Sequence, residues 1–234
     1  MSKMESFLKK CDSSTLSSIM KKVGLAHTRG KNSQVQTVRK IQNIFESEQT
    51  SRIGQGKDGI AFEYTTPNGK STVIKQFKQS KPDKRIKLEV EFQQAASDVG
   101  ISPKIIRYDP TMKCVEMEKL DNTLYTLLKL SDGKLSVRYQ KRIIDIFRIL
   151  DRIGIFHADP STINFMEKDG ILYIIDFGFA KKITHQLASK HNCSMTMNME
   201  YMPMGIYIKL KELCPGREYS VIKNAIPKSK RVML

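Results

Sequence analysis

The tightest constraint on this chain lies between residues 157 and 178, where polar residues interrupt short apolar runs in a fixed order. His157-Ala158-Asp159-Pro160-Ser161-Thr162-Ile163-Asn164 has the spacing H-x-D-x4-N, and the apolar run 171–175 leads directly into Asp176-Phe177-Gly178. Between them, Asp169-Gly170 is the strongest short hairpin signal in the chain. Carboxylates and an amide set among apolar strands each need a partner. As unrelated residues they would require separate hydrogen-bonding arrangements, whereas as one set they make chemical sense. Asp159 can accept a proton from an incoming hydroxyl, and Asn164 and Asp176 offer hard oxygens to a Mg²⁺ that bridges phosphates.

Two further motifs stand upstream in a matching order. Gly54-Gln55-Gly56-Lys57-Asp58-Gly59 is a G-x-G-x-x-G, and Ile60-Ala61-Phe62-Glu63-Tyr64 continues it as a strand. A dinucleotide fold would place a helix there, so this spacing instead predicts a glycine-rich flap over phosphates, where a Cβ would hold the backbone amides away from the oxygens. Val73-Ile74-Lys75 follows at the spacing of the next hairpin strand, and a lysine in an apolar strand calls for a phosphate or carboxylate partner. The following helix supplies Glu89, with Glu91 as second choice.

With these residues in hand, the stretch from about residue 51 to 181 resembles the protein-kinase superfamily. The resemblance implies an α+β fold of two lobes. It implies that Gly54, Gly56 and Gly59 cover the phosphates, with Ile53 and Ala61 beside the nucleotide, and that Lys75 holds the phosphates while pairing with Glu89. Asp159 would be the catalytic base, with Lys75 and Asn164 also in the catalytic set, and Asn164 and Asp176 would be the metal ligands. Val115-Glu116-Met117-Glu118-Lys119-Leu120 looks like the strand and hinge for adenine, with Met117 as gatekeeper and backbone groups of Glu118 and Leu120 on the base. ATP and Mg²⁺, with Mn²⁺ as a substitute, are the implied cofactors.

The departures narrow the resemblance. Ala158 replaces the arginine that clamps a phosphorylated activation loop, so control by loop phosphorylation is not expected. Ser161 replaces the lysine found near the transferred phosphate in most serine/threonine kinases, a change seen in RIO-type kinases and in the small kinase of the KEOPS complex. No Ala-Pro-Glu follows Asp176, and Asn198-Met199-Glu200-Tyr201-Met202-Pro203 only faintly echoes the segment before it. The expected C-terminal lobe is therefore reduced. The expected division is an N-lobe over 51–120 and a reduced C-lobe over 121–234, and a partner protein is a candidate to complete the latter.

Composition adds a second theme. Of 234 residues, 40 are Lys or Arg and 24 Asp or Glu, a net charge of +16. It divides into +5 over residues 1–50, +4 over 51–180 and +7 over 181–234, so the excess sits at the two ends. Such basic ends suit a polyanion. Leu16, Ile19, Met20 and Val23 share one helical face, Gly24 ends that helix, and Ser33 with Gln36 opens a second through Phe45. Residues 1–48 resemble a SAP motif, a helix-extended-helix module that binds DNA. That resemblance makes Arg29 and Lys31, with Lys21, Lys22, Arg39 and Lys40, candidates for phosphate contacts. The compact kinase with a DNA-binding appendage is also in the style of large DNA viruses, which would place it in virions and in host cytoplasm or nucleus.

The chain lacks an apolar run of membrane-spanning length and an N-terminal signal peptide, and its four cysteines form no CxxC pair. An intracellular protein with reduced thiols is the expectation. Helices are expected over 81–99, 135–153 and 206–213, and strands over 105–108, 114–117, 164–166 and 171–177. Residues 185–204 show no clear period, and the methionines there read as padding of a flexible segment or surface. The function expected is an ATP- and Mg²⁺-dependent serine/threonine protein kinase tethered to DNA. The rival readings are a small-molecule phosphotransferase, and a nucleic-acid-binding structural protein with a kinase-like nucleotide-binding body.

Overall fold

The computed structural model describes residues 50–65 and 69–231, and the SAP-like segment lies outside them. The chain divides into two compact units, one through Lys78 together with Asp109–Cys114, the other Gln79–Tyr108 with Val115–Leu234.

The first unit holds an antiparallel meander of β1 (Thr50–Gln55), β2 (Gly59–Thr65) and β3 (Ser71–Phe77). The glycine motif is the turn between β1 and β2, closed by Gly56 N–H donating to the Gly59 carbonyl at 2.9 Å. At Gly59 a Cβ would stand 2.3 Å from the Gln76 carbonyl, so side-chain-free backbone there is a condition of β2 pairing with β3. Phe77 (2% exposed) and Thr72 (3%) are its buried side chains, and Gln76 Nε2 ties β3 to the Met112 carbonyl at 2.7 Å.

The second unit opens with α1 (Asp83–Asp98). The helix starts two residues later than the expected 81 because Pro82 disfavours helical backbone at Lys81. It ends where expected, with Gly100 at φ +73° and Ile101 N–H returning to the Ala96 carbonyl at 3.0 Å. Strands β4 (Ile105–Asp109), β5 (Cys114–Glu118) and the short β6 (Asn122–Thr123) follow. The sequence reading missed α2 (Leu124–Leu130), although its cap is visible in the sequence: Thr123 Oγ1 accepts from Thr126 N–H at 3.1 Å. Helix α3 (Val137–Arg152) starts after Ser136, whose hydroxyl accepts from Tyr139 N–H at 3.2 Å.

β7 (Ile155–Phe156) precedes the polar segment, and β8 (Phe165–Lys168) and β9 (Ile171–Ile174) form the expected hairpin. Asp169 and Gly170 have φ +50° and +74°, the positive values that a type I′ turn demands. β10 (Lys181–Lys182) pairs with β7.

The C-terminal region departs most from expectation. Residues 185–213 hold α4 (His185–Lys190) and the 17-residue α5 (Met197–Leu213), which runs through Pro203; α6 (Ser220–Ala225) and α7 (Lys228–Arg231) follow. Met197 and Met202 are core residues at 0% and 1% exposure, which corrects their reading as padding. The basic end is held as well, with Lys230 Nζ 3.6 Å from the Tyr201 ring centroid and 3.2 Å from Glu200 Oε1. One apolar core joins α1, α2, α3, the β8–β9 hairpin, α5 and α6. Cys193 and Cys214 are free thiols, and among the described residues no helix is long and apolar enough to cross a membrane.

Phe147 on α3 is fully buried and meets the Phe165 ring edge-on, with centroids 5.9 Å apart. Phe147→Ala should lower stability by about 3–5 kcal/mol, the usual loss for an emptied aromatic site. Urea unfolding of wild type and variant measures it.

Candidate active site

Backbone hydrogen bonds draw the three polar positions of the second unit together. Asn164 ends a short 3-10 turn (Thr162–Asn164) and its carbonyl accepts from Ile175 N–H at 2.9 Å, so Asn164 lies one residue from Asp176 across that bond. His157 bridges the same two segments. Its buried ring donates from Nε2 to the Ile175 carbonyl at 3.1 Å and packs edge-on against Phe177 at 5.0 Å.

Burial pushes the His157 pKa below the ordinary imidazole value, against the bond to Ile175 and the fields of Asp159 and Asp176. The ring is therefore a neutral strut at physiological pH. Both carboxylates act on the ring electrostatically, so Asp159 and Asp176 lie in the neighbourhood of one imidazole.

The backbone here is strained. Ala158 has φ +65° and Asp176 φ +64°, left-handed conformations that cost residues with a Cβ about 1–3 kcal/mol each. Ala158 turns the chain immediately before Asp159, whose Oδ1 accepts from Ser161 N–H at 3.2 Å. Asn164 is 3% exposed, and its Nδ2 has no hydrogen-bond partner among the described residues. A buried amide with an open valence is unusual in a folded chain.

A second layer, not anticipated from sequence, holds this loop in place. Asn198, in the first turn of α5, is fully buried; its Oδ1 accepts from His157 N–H at 3.0 Å and its Nδ2 donates to the Ile155 carbonyl at 2.7 Å. Asp151 at the end of α3 accepts from Asn198 N–H and Nδ2, both at 2.7 Å, and from Met199 N–H at 3.0 Å. The Asp151 carboxylate thereby caps α5 from another element, as its own N-cap residue Thr196 makes no side-chain capping bond. Desolvation raises the Asp151 pKa, opposed by the Met199 and Asn198 amides.

About two turns further along α5, Gly205 faces Pro160. A Cβ there would stand 2.4 Å from Pro160 Cγ, so the helix approaches the loop as closely as a glycine allows.

The remaining expected positions fall as follows. Gly54 and Ile53 lie in β1 and Gly56 in the turn after it, with Ile53 48% exposed; a Cβ at Gly56 would meet nothing within 4 Å. Ala61 pairs with Lys75 across β2 and β3, and Lys75 Nζ lies 5.3 Å from the Phe77 ring centroid. Glu89 is buried on α1, where Lys81 Nζ binds its carboxylate at 2.5 Å. Lys81 was not among the expected residues, and nothing in its spacing to Glu89 marks it.

Met117 is buried in β5, with Gln93 Nε2 3.4 Å from its Sδ. Glu118 N–H donates to the Lys104 carbonyl at 2.9 Å, and its side chain pairs with Lys168. Leu120 is buried. The DNA-contact candidates Arg29, Lys31, Lys21, Lys22, Arg39 and Lys40 lie outside the described residues.

Two expected outcomes test the second layer. Asn198→Ala strands the His157 amide and the Ile155 carbonyl and should reduce stability by about 1–3 kcal/mol for each unsatisfied group, read by urea unfolding. Gly205→Ala leaves those bonds in place but displaces Pro160; it should melt within a few degrees of wild type while losing most of its turnover, measured as ADP release.

With this geometry established, the comparison with known families is direct. The family model of the RIO domain matches residues 63–192, from within β2 through α4 and across Asp151, His157, Asp159, Asn164 and Asp176, while Asn198 and Gly205 lie beyond it. The chain belongs to the RIO domain family, within the protein-kinase superfamily.

Proposed function

We propose that this protein transfers the γ-phosphoryl group of ATP to a serine or threonine hydroxyl of a protein. The observation that carries the reading is that the buried His157 and Asn164 both bond to Ile175, next to Asp176, with Asp159 and Asp176 both acting electrostatically on the His157 ring. The RIO family match supports phosphotransfer in general, and the residues supply the roles.

Asp159 accepts the proton of the acceptor hydroxyl as its oxygen attacks the γ-phosphorus; the bond from that phosphorus to the β–γ bridging oxygen breaks, and ADP departs. The Asp159 carboxylate is turned by Ala158 and tethered by Ser161 N–H, so its orientation is set before substrate arrives. Lys75 and the amides around Gly54 and Gly56 meet the phosphates, and Ile53 and Ala61 flank the nucleotide. Met117, the Glu118 carbonyl and Leu120 meet the base.

The residues present fit a Mg²⁺ ion. One carboxylate and one amide oxygen are hard donors, and a Mg²⁺ shared with a triphosphate takes only one or two protein ligands. Asn164, through its side-chain oxygen, and Asp176, through its carboxylate, would hold it, the two positions being joined by the bond from Ile175 N–H to the Asn164 carbonyl. When bound, the ion neutralises charge that develops on the phosphates.

Transfer of labelled γ-phosphate to a panel of proteins and to the chain itself tests the reading, with phosphoamino-acid analysis of the product. Asp159→Asn should lower kcat by about 10²–10⁴-fold while ATP still binds. Asp176→Ala or chelation of Mg²⁺ should abolish transfer. A wild type no more active than Asp176→Ala would sink the proposal, and ADP release driven by metabolites but not proteins would move it to a small-molecule phosphotransferase.

A further inference from the structure

A groove of about 720 Å³ in the second unit uses none of the residues assigned to phosphate transfer. The first half of α3, β9, Gly100 and Gly170 line it. Three of its side chains are cationic: Arg138, Lys141 and Arg142. Asp145 is the only acid lining it, and its carboxylate pairs with Arg148 at 2.9 Å. Among the described residues, none of the three cations lies within ion-pair distance of a carboxylate.

Arg142 is built into the wall. Its Nε donates to the Leu172 carbonyl at 3.0 Å and its Nη2 to the Gly100 carbonyl at 2.8 Å, which leaves other N–H groups of the fork unspent. Desolvation lowers its pKa, against the fields of Tyr173 and Asp145. A fixed, partly desolvated guanidinium without a counter-ion favours an incoming carboxylate. Arg138 reaches the turn side, with Nη1 3.9 Å from where a Cβ on Gly170 would stand.

The groove also exposes aliphatic surface, with Val137 54% and Ile171 40% exposed. β9 is the edge of the β6–β8–β9 sheet, yet its Leu172 carbonyl is taken by Arg142 and its Ile174 N–H by the Ile101 carbonyl at 2.8 Å. Addition of a strand at that edge is blocked, so recognition falls to side chains.

We propose that this groove docks a partner protein through an acidic segment that also carries aliphatic residues. Its carboxylates meet Arg138, Lys141 and Arg142, and its aliphatic side chains cover Val137 and Ile171. Charge complementarity selects the sign of the partner. The exposed aliphatics favour a peptide over single-stranded nucleic acid, which seeks open aromatic faces, whereas Tyr139 and Tyr173 here are half-buried.

The test is fluorescence anisotropy on the full chain with a short labelled peptide that alternates glutamate with leucine and valine. Saturable binding that weakens with added salt is expected. Arg138→Glu with Lys141→Glu should weaken it about tenfold or more, and Ile171→Ser about threefold, with melting temperatures unchanged because all three side chains are exposed. A glutamine-for-glutamate peptide on the wild type repeats the charge test without altering the protein. Equal binding of that neutral peptide, equal binding by the double variant, or no saturation up to about 1 mM overturns the proposal. So does charge-dependent binding of an oligothymidylate at the groove in place of the peptide.

Discussion

The segment that carries Asp159 keeps its shape because one buried side chain, Asn198, holds it from behind. Its amide binds the backbone on both sides of Phe156, accepting from His157 and donating to Ile155, and Asp151 holds Asn198 in turn. Each bond is made in a dry interior, where an unmet partner costs about 1–3 kcal/mol. The network also supplies what α5 lacks, since the Asp151 carboxylate satisfies two amides at the helix start. One carboxylate thus starts a helix and, through Asn198, positions the loop that carries Asp159.

That frame explains how two left-handed non-glycine residues persist. Ala158 and Asp176 each sit in a conformation that an unsupported loop would relax. Asn198 holds the backbone next to Ala158, and His157 and Asn164 both bond to Ile175 next to Asp176. Pro160 is seated against Gly205 of the same helix. The conformations of Ala158 and Asp176 are over-determined by these neighbours.

Much of the fold was legible wherever the signal is local. Gly100 and Asp169-Gly170 mark their boundaries by backbone rules that act within a few residues, and the structure follows them, whereas Pro82 and Ser136 set helix starts two residues later than the expected 81 and 135. The region after Lys181 was not legible, because its helices depend on distant groups. Pro203 within α5 and the absence of a local cap both argue against a helix, and Asp151, far away in sequence, supplies the cap that makes one possible. Met197 and Met202 show no period of their own, yet they fill space beside α3. Lys81 presents the same problem at Glu89, since a pairing made by chain geometry leaves no mark in the spacing.

The sequence by itself determined the chemistry: which oxygens, amides and lysine are available, in what order, and where the glycine turn and the Asp-Gly hairpin must bend. Those features are local, set by residue type and by the φ values each residue tolerates. Only the tertiary structure decided which groups serve as supports, that Asn198 and Gly205 stand behind the loop, that His157 is neutral, and that three cations on α3 face an open groove. Burial and non-local pairing set those outcomes, and both depend on which elements pack together rather than on any stretch of sequence read alone.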